Sequence, residues 1–237
     1  MVPGGPRLPV LATQMPWSDF GVWWLGEVEG DPAYEDVVTP LLLEVFQPKR
    51  GERYLDIGCG EGRLLRTIES LGATCFGVEL DENLARHAGR RCAAGQANAL
   101  PFGESSVDGA VIVLVLEHIE SYQLALREAA RVVRPGGHLG LVMNHPTWTA
   151  PHSTPITDAD GEVLWRPGDY FSNGFSEVPT RDASVRFYHR TMSSLLNAAA
   201  FEGWALDHMI EQPHHDLTDQ QGIPRLIGCR WRLSVGR

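Results

Sequence analysis

Asp56, Gly58, Gly60 and Gly62 follow directly on the apolar residues Tyr54, Leu55 and Ile57. A short buried strand running into a carboxylate and three alternating glycines can turn sharply and lay its backbone against a ligand. A helix from about Arg63 to Leu71 is predicted next. The spacing is not the dinucleotide fingerprint G-x-G-x-x-G, because the third glycine arrives one residue early and Arg63 stands where glycine is wanted. Pyrophosphate is therefore not the expected ligand. A carboxylate two positions before the first glycine suits a ligand with a positively charged amino group. A second predicted strand, Cys75-Phe76-Gly77-Val78-Glu79, also ends in a carboxylate, and Glu79 is placed to accept from the two hydroxyls of a ribose.

Three further segments follow in order. Gly95-Gln96-Ala97-Asn98-Ala99-Leu100-Pro101-Phe102 forms a loop, and Val107 to Leu116 predicts a buried strand running into Glu117-His118-Ile119. Helical periodicity then spans Leu124 to Arg134, where Pro135, Gly136 and Gly137 stop it before a strand over Leu139 to Asn144. From Gly51 to Asn144 this arrangement resembles the class I S-adenosylmethionine-dependent methyltransferases. The glycine loop resembles their motif I, the Leu-Pro-Phe loop is of the small-molecule methyltransferase type, and Val133-Arg134-Pro135-Gly136-Gly137 resembles the family's Leu-Arg-Pro-Gly-Gly type of helix ending.

The resemblance implies an α/β, Rossmann-like fold, with a mostly parallel seven-stranded sheet, helices on both faces and an antiparallel C-terminal edge. It implies S-adenosyl-L-methionine as cofactor. Asp56, Gly58, Cys59 and Gly60 would then hold its amino-acid end, Glu79 and Leu80 the ribose, Ala97 and Asn98 the adenine, and Leu114 the methyl-bearing region. Gln96 departs from the family's usual aspartate, and its amide can both donate and accept, so adenine recognition is expected to rest on Ala97 backbone groups and Asn98. The implied activity is methyl transfer to a small-molecule acceptor, oxygen being favoured. Methylation of RNA or protein, and cofactor binding without catalysis, are the competing readings.

A hydroxyl acceptor would be helped by a general base, and histidine has a suitable ordinary pKa. His118, after the fourth strand, and His145, after the fifth, are the candidates. Each also has a plainer reading, His118 as a packed residue closing the strand end and His145 as part of a His-Pro turn. His189 is expected to anchor the C-terminal helix. Trp23, Tyr34 and Trp148 are expected to wall the acceptor site, a satellite core of the surrounding aromatic residues being the plainer alternative. His214-His215-Asp216 has ligand-type side chains, but adjacent histidines on an extended chain point to opposite sides, so no metal is expected.

With 237 residues and 43% hydrophobic content the chain can bury a substantial core. Its formal net charge of -10 argues against nucleic acid as a partner, which requires a basic surface. Arg181, Arg186 and Arg190 lie among Glu177 and Asp182, a mixed-charge face. No apolar run approaches the roughly 20 residues of a membrane span, the start lacks a secretory pattern, and the four cysteines show no paired spacing. These features predict a cytoplasmic protein with reduced thiols; they do not bear on oligomeric state. Four regions are expected: an N-terminal arm and lid segment over 1–30, a cofactor-binding core over 31–144, a cap insertion over 145–190 and a C-terminal completion of the core over 191–237. The first helix is expected from Asp31-Pro32 to about Phe46, with Tyr34 near the cofactor end. Later elements are expected at 192–201, 204–210 and 225–233.

Overall fold

The computed structural model describes residues 21, 25–26, 32–179, 184–213 and 222–235. A π-helical turn, Tyr34–Val38, continues into α1 (Thr39–Phe46). Then come β1 (Arg53–Ile57), α2 (Arg63–Ser70), β2 (Thr74–Glu79), α3 (Glu82–Ala88), β3 (Cys92–Ala94), β4 (Val107–Val113), α4 (Tyr122–Val132) and β5 (Val133–Asn144). A short helix α5 (Pro146–Thr149) leads into hairpins β6 (Thr154–Thr157) with β7 (Val163–Arg166) and β8 (Phe175–Pro179) with β9 (Ser184–Tyr188). α6 (Met192–Phe201), β10 (Trp204–Pro213) and β11 (Pro224–Leu233) complete the chain.

Seven strands form one sheet in the order β10-β11-β5-β4-β1-β2-β3. Pairing is parallel from β5 through β3, while β11 runs antiparallel to both β5 and β10. The fold is thus α/β and Rossmann-like, with the antiparallel C-terminal edge that the sequence implied. The order reverses between β1 and β4, and a ligand crevice belongs at the carboxyl ends of such neighbours.

Both faces of the central strands are buried, which explains their near-continuous apolar runs. Leu55, Ile57, Ile112 and Leu141 pack with Leu126 and Ala129 of α4 and Leu195 of α6. Tyr54, Cys75, Val111 and Val142 face the other way, against Leu41, Leu42 and Val45 of α1 and Leu65 and Ile68 of α2. Each fully buried leucine or isoleucine contributes about 1.5–3 kcal/mol. The Trp204 indole N–H donates to the Leu126 carbonyl at 3.1 Å and fastens the C-terminal strands to α4.

Three boundaries differ from the sequence reading. β4 ends at Val113, because Leu114 adopts φ 54° and Leu116–His118 coil into a 3-10 turn. α4 ends at Val132, and Val133 already pairs with Val107, with a register shift between Val107 and Gly109. The cap region carries hairpins where no regular structure was expected. For the β6–β7 hairpin the signal was the Asp160-Gly161 turn, where the Asp158 carboxylate accepts from the N–H groups of Asp160 and Glu162, both at 2.9 Å.

Candidate functional site

At the carboxyl ends of β1, β2 and β4 lies a cavity of about 400 Å³, within the range of roughly 300–1,000 Å³ usual for small-molecule sites. Asp56, Gly58, Cys59 and Gly60 line one side of it, and Glu79 and Leu80 the next. Ala97 and Asn98 contribute from the loop after β3, Leu114 and His118 from the segment after β4, and Tyr34 from the turn before α1. Gln96, Val115, Ile119 and Arg63, which sequence reasoning did not assign to the wall, also line it. The Arg63 guanidinium lies 4.4 Å over the Tyr34 ring, a contact that positions Tyr34 at the cavity.

The glycine loop has this shape for steric reasons. Gly58 sits at φ 80°, and a Cβ there would stand 2.5 Å from a Val115 methyl. Its N–H donates to the Val78 carbonyl at 2.7 Å, which closes the turn onto β2. The Gly60 N–H donates to Glu79 Oε2 at 2.9 Å, and the Asp81 N–H donates to Oε1 at 3.0 Å. Each Glu79 oxygen therefore accepts from the backbone and retains acceptor capacity. Asp81 is itself buried. Its Oδ1 caps α3 by accepting from Asn83 and Leu84, and its Oδ2 accepts from the Gly21 N–H at 2.9 Å. Leu114, a branched residue held at positive φ in the cavity wall, is the strained position of the site.

Asp56 stands out electrostatically. It is buried, and neither carboxylate oxygen has a hydrogen-bond partner among the described residues. Burial, with Glu79 and Glu61 nearby, pushes its carboxyl up to about 8. An orphaned carboxylate of this kind in a cavity wall fits a cationic ligand group, whose bonds would remove the desolvation penalty. Glu79 is also raised by burial, although the N–H groups of Asp81, Gly60 and Leu80 oppose the shift. These donors favour the ionised form, which suits Glu79 to accept from hydroxyls. Replacing Glu79 with alanine is expected to weaken binding of an adenosyl ligand by ~1–3 kcal/mol; calorimetric titration of the folded variant checks this.

The two histidine candidates separate. His118 is in the cavity wall, its Nδ1 lies 2.9 Å from the Arg186 carbonyl, and its ring meets Phe187 edge-on at 4.6 Å. A carbonyl accepts only from N–H, so this contact assigns the proton to Nδ1 and makes Nε2 the basic nitrogen. Burial holds the His118 pKa below its usual value. His145 is outside the cavity wall. Its Nδ1 accepts from the Thr147 N–H at 3.1 Å to cap α5, and its Nε2 lies 2.7 Å from Glu211 Oε1. Capping and the hydrogen bond that Nε2–H donates to Glu211 occupy both ring nitrogens of a neutral imidazole.

Trp148 is likewise displaced from the cavity. It stacks on Trp165 at 4.5 Å and carries the Arg225 guanidinium at 4.5 Å, which makes it part of the cap's satellite core. His189 holds the cap instead of the C-terminal helix, with Nε2 2.7 Å from the Tyr170 carbonyl and Nδ1 3.3 Å from the Thr149 hydroxyl. Arg190 donates to the carbonyls of Leu116, Ile119 and Glu120, and Arg186 pairs with Glu177 at 2.7 Å, so neither is spent on a basic patch. Trp23, Arg181 and His214-His215-Asp216 lie outside the described residues. Glu117 was not singled out from the sequence; it is buried, and its Oε1 accepts from both the backbone and side-chain N–H of Asn144.

A family profile described as a methyltransferase domain matches residues 55–141, the stretch that supplies the cavity wall apart from Tyr34. An S-adenosylmethionine-dependent methyltransferase from Mesorhizobium loti superposes with a TM-score of 0.74 at 25% identity, covering 86% of this chain and 99% of that one. Residues 55–141 thus carry a methyltransferase domain, and the fold is that of the class I S-adenosylmethionine-dependent methyltransferases. Among curated members of the family, an O-methyltransferase of Penicillium expansum is 33% identical over 150 residues, 57% of this chain and 52% of that protein. A malonyl-[acyl-carrier protein] O-methyltransferase of Erwinia pyrifoliae is 36% identical over 103 residues, 41% of this chain and 39% of that protein. The chain thus spans about half or less of the curated relatives it matches, and the shared part is the methyltransferase core.

Proposed function

We propose that the chain transfers a methyl group from S-adenosyl-L-methionine to a hydroxyl of a small, partly apolar acceptor in the cytosol. The observation that carries this reading is the convergence of the unpartnered Asp56 carboxylate, Glu79 and His118 on one cavity. Asp56 and the peptide groups of Gly58 and Gly60 would hold the amino-acid end of the cofactor, Glu79 the ribose, and Ala97 and Asn98 the adenine. When bound, S-adenosylmethionine supplies a methyl group on a sulfonium that departs as a neutral thioether. The chain's own share is then position, exclusion of water and one proton. Proximity in such a site is worth ~7–11 kcal/mol of barrier.

Leu114, Val115 and Ile119 give the acceptor side an apolar wall, and His118 Nε2 would accept the hydroxyl proton. Tyr34 and the N-terminal segment would close that side. Gly21 supports closure, since it is fastened to Asp81, whose own N–H holds Glu79. Among the described residues the cap strands pair in two small sheets of their own, and β9 meets the cavity wall where Arg186 and Phe187 contact His118, in keeping with a covering element.

Incubation with methyl-labelled cofactor and a panel of hydroxyl, amine and thiol small molecules, with RNA and protein alongside, tests this reading. Label is expected in hydroxyl-bearing small molecules. Label confined to RNA or protein, or cofactor binding with no labelled product, would replace it with one of the competing functions. Turnover is expected to survive exhaustive chelation. Among the described residues no three histidine, cysteine or carboxylate side chains are grouped as metal ligands. Activity lost on chelation and restored by a single divalent ion would overturn that expectation and bring His214-His215-Asp216 back into consideration.

A further inference from the structure

Cys59 and Cys92 are far apart in sequence, yet their sulfur atoms lie 3.1 Å apart, and both are free thiols. A disulfide requires about 2.05 Å, so the sulfurs are about 1 Å short of bonding. The fold makes this meeting possible through a missing side chain. Cys59 follows β1 and Cys92 begins β3, with β2 between those strands. On β2, Gly77 pairs with Asp56 on one side and Cys92 on the other. A Cβ at Gly77 would stand 2.5 Å from Cys59 Sγ, so the glycine leaves the recess in which one thiol reaches across β2 to the other.

The two thiols differ in environment. Cys59 is buried in the glycine loop and lines the cavity, whereas Cys92 is partly exposed at the start of β3. The contact with Cys92 and burial hold the Cys59 thiol in its protonated form. Cys92 is therefore the sulfur that an oxidant reaches first, and Cys59 the one that resolves the product.

We propose that Cys59 and Cys92 are a redox modification site, at which a peroxide-class oxidant joins them in a disulfide that displaces the glycine loop and lowers cofactor affinity. The peroxide O–O bond breaks as Cys92 becomes a sulfenic acid and water leaves. The Cys59 sulfur then forms the S–S bond, the Cys92 S–O bond breaks, and the Cys59 proton leaves with that oxygen as a second water. Two thiols lose two electrons in all, and one peroxide gains them. Drawing Cys59 about 1 Å toward β3 moves the peptide that carries the Gly60 N–H, which holds Glu79 Oε2 at 2.9 Å. The link to affinity rests on the cofactor reading of the cavity; the cross-link itself does not.

The test is graded hydrogen peroxide treatment of the intact chain, followed by non-reducing digestion and mass spectrometry, with calorimetric titration of S-adenosylhomocysteine on the same samples. A cross-linked pair of peptides containing Cys59 and Cys92 is expected, two hydrogens lighter than their sum and released by dithiothreitol. Cys92→Ser and Cys92→Ala should bind normally, form no such pair and keep their affinity after peroxide. Affinity of the cross-linked chain should fall at least tenfold and recover on reduction. Oxidation of Cys92 that ends in higher oxides without the Cys59 link overturns the site. A link with a smaller fall overturns its control of the cofactor. Absence of binding even in the untreated chain would count against the cofactor reading and leave the cross-link to be judged by its mass alone.

Discussion

Asp56→Asn is expected to weaken S-adenosylmethionine binding roughly 10- to 150-fold, the equivalent of the ~1.5–3 kcal/mol carried by a hydrogen bond to a charged group. The same change should raise the stability of the unliganded chain at pH 8. The native carboxyl has its pKa near 8 instead of 3.8. Protonation of buried Asp56 therefore adds stability that is full below 3.8 and is lost as the pH rises toward 8. The asparagine has no such dependence, so its advantage in melting temperature should be present at pH 8 and small at pH 4. Binding has the opposite dependence, because the cofactor's ammonium needs the ionised carboxylate. Native affinity should rise with pH by up to tenfold per unit and level off above about 8, with a proton released on binding, while Asp56→Asn shows a flat profile. Calorimetry in buffers of different ionisation enthalpy measures both. A variant that loses stability at pH 8 and keeps its affinity would show that Asp56 is an ordinary structural acid.

His118→Gln is expected to lower kcat about 10²–10⁴-fold toward a hydroxyl acceptor, the usual contribution of a positioned base, and to leave cofactor affinity unchanged. The sign of the pH dependence separates catalysis from packing. Burial lowers the His118 pKa, so the native imidazole is already neutral at pH 7, and activity should fall only on acidification below the ordinary histidine range. The glutamine variant should lack that acidic limb. A packing residue would instead change melting temperature and cofactor affinity together, with the native pH profile kept in the residual activity.

The glycine loop and Glu79 were legible in the sequence because their constraint is local. A turn with φ near 80° at Gly58 and a carboxylate at a strand end are decided within a few residues. Tyr34 was legible for a related reason, since a helix that starts before β1 leads to the same edge of the sheet. His145 and Trp148 were not, because position after β5 does not say which way the chain turns. There α5 turns back on His145, and Glu211, distant in sequence, takes its other nitrogen. Trp148 found Trp165 for the same reason, a partner delivered by a hairpin whose run Val163-Leu164-Trp165 shows no apolar-polar alternation in the sequence. The approach of Cys59 to Cys92 depends on the strand order β1-β2-β3 and on Gly77 between them, and no spacing within the chain encodes that. Glu117 and Asn144 meet because β4 and β5 are neighbours, again a matter of topology.

Calorimetric titration of the chain with S-adenosylhomocysteine, beside Glu79→Ala and Asp56→Asn, addresses the cavity directly. Saturable binding at one site is expected, displaced by S-adenosylmethionine and weakened in both folded variants. No saturable binding to the native chain, or affinities that both variants leave unchanged, would contradict the assignment of this cavity to the cofactor.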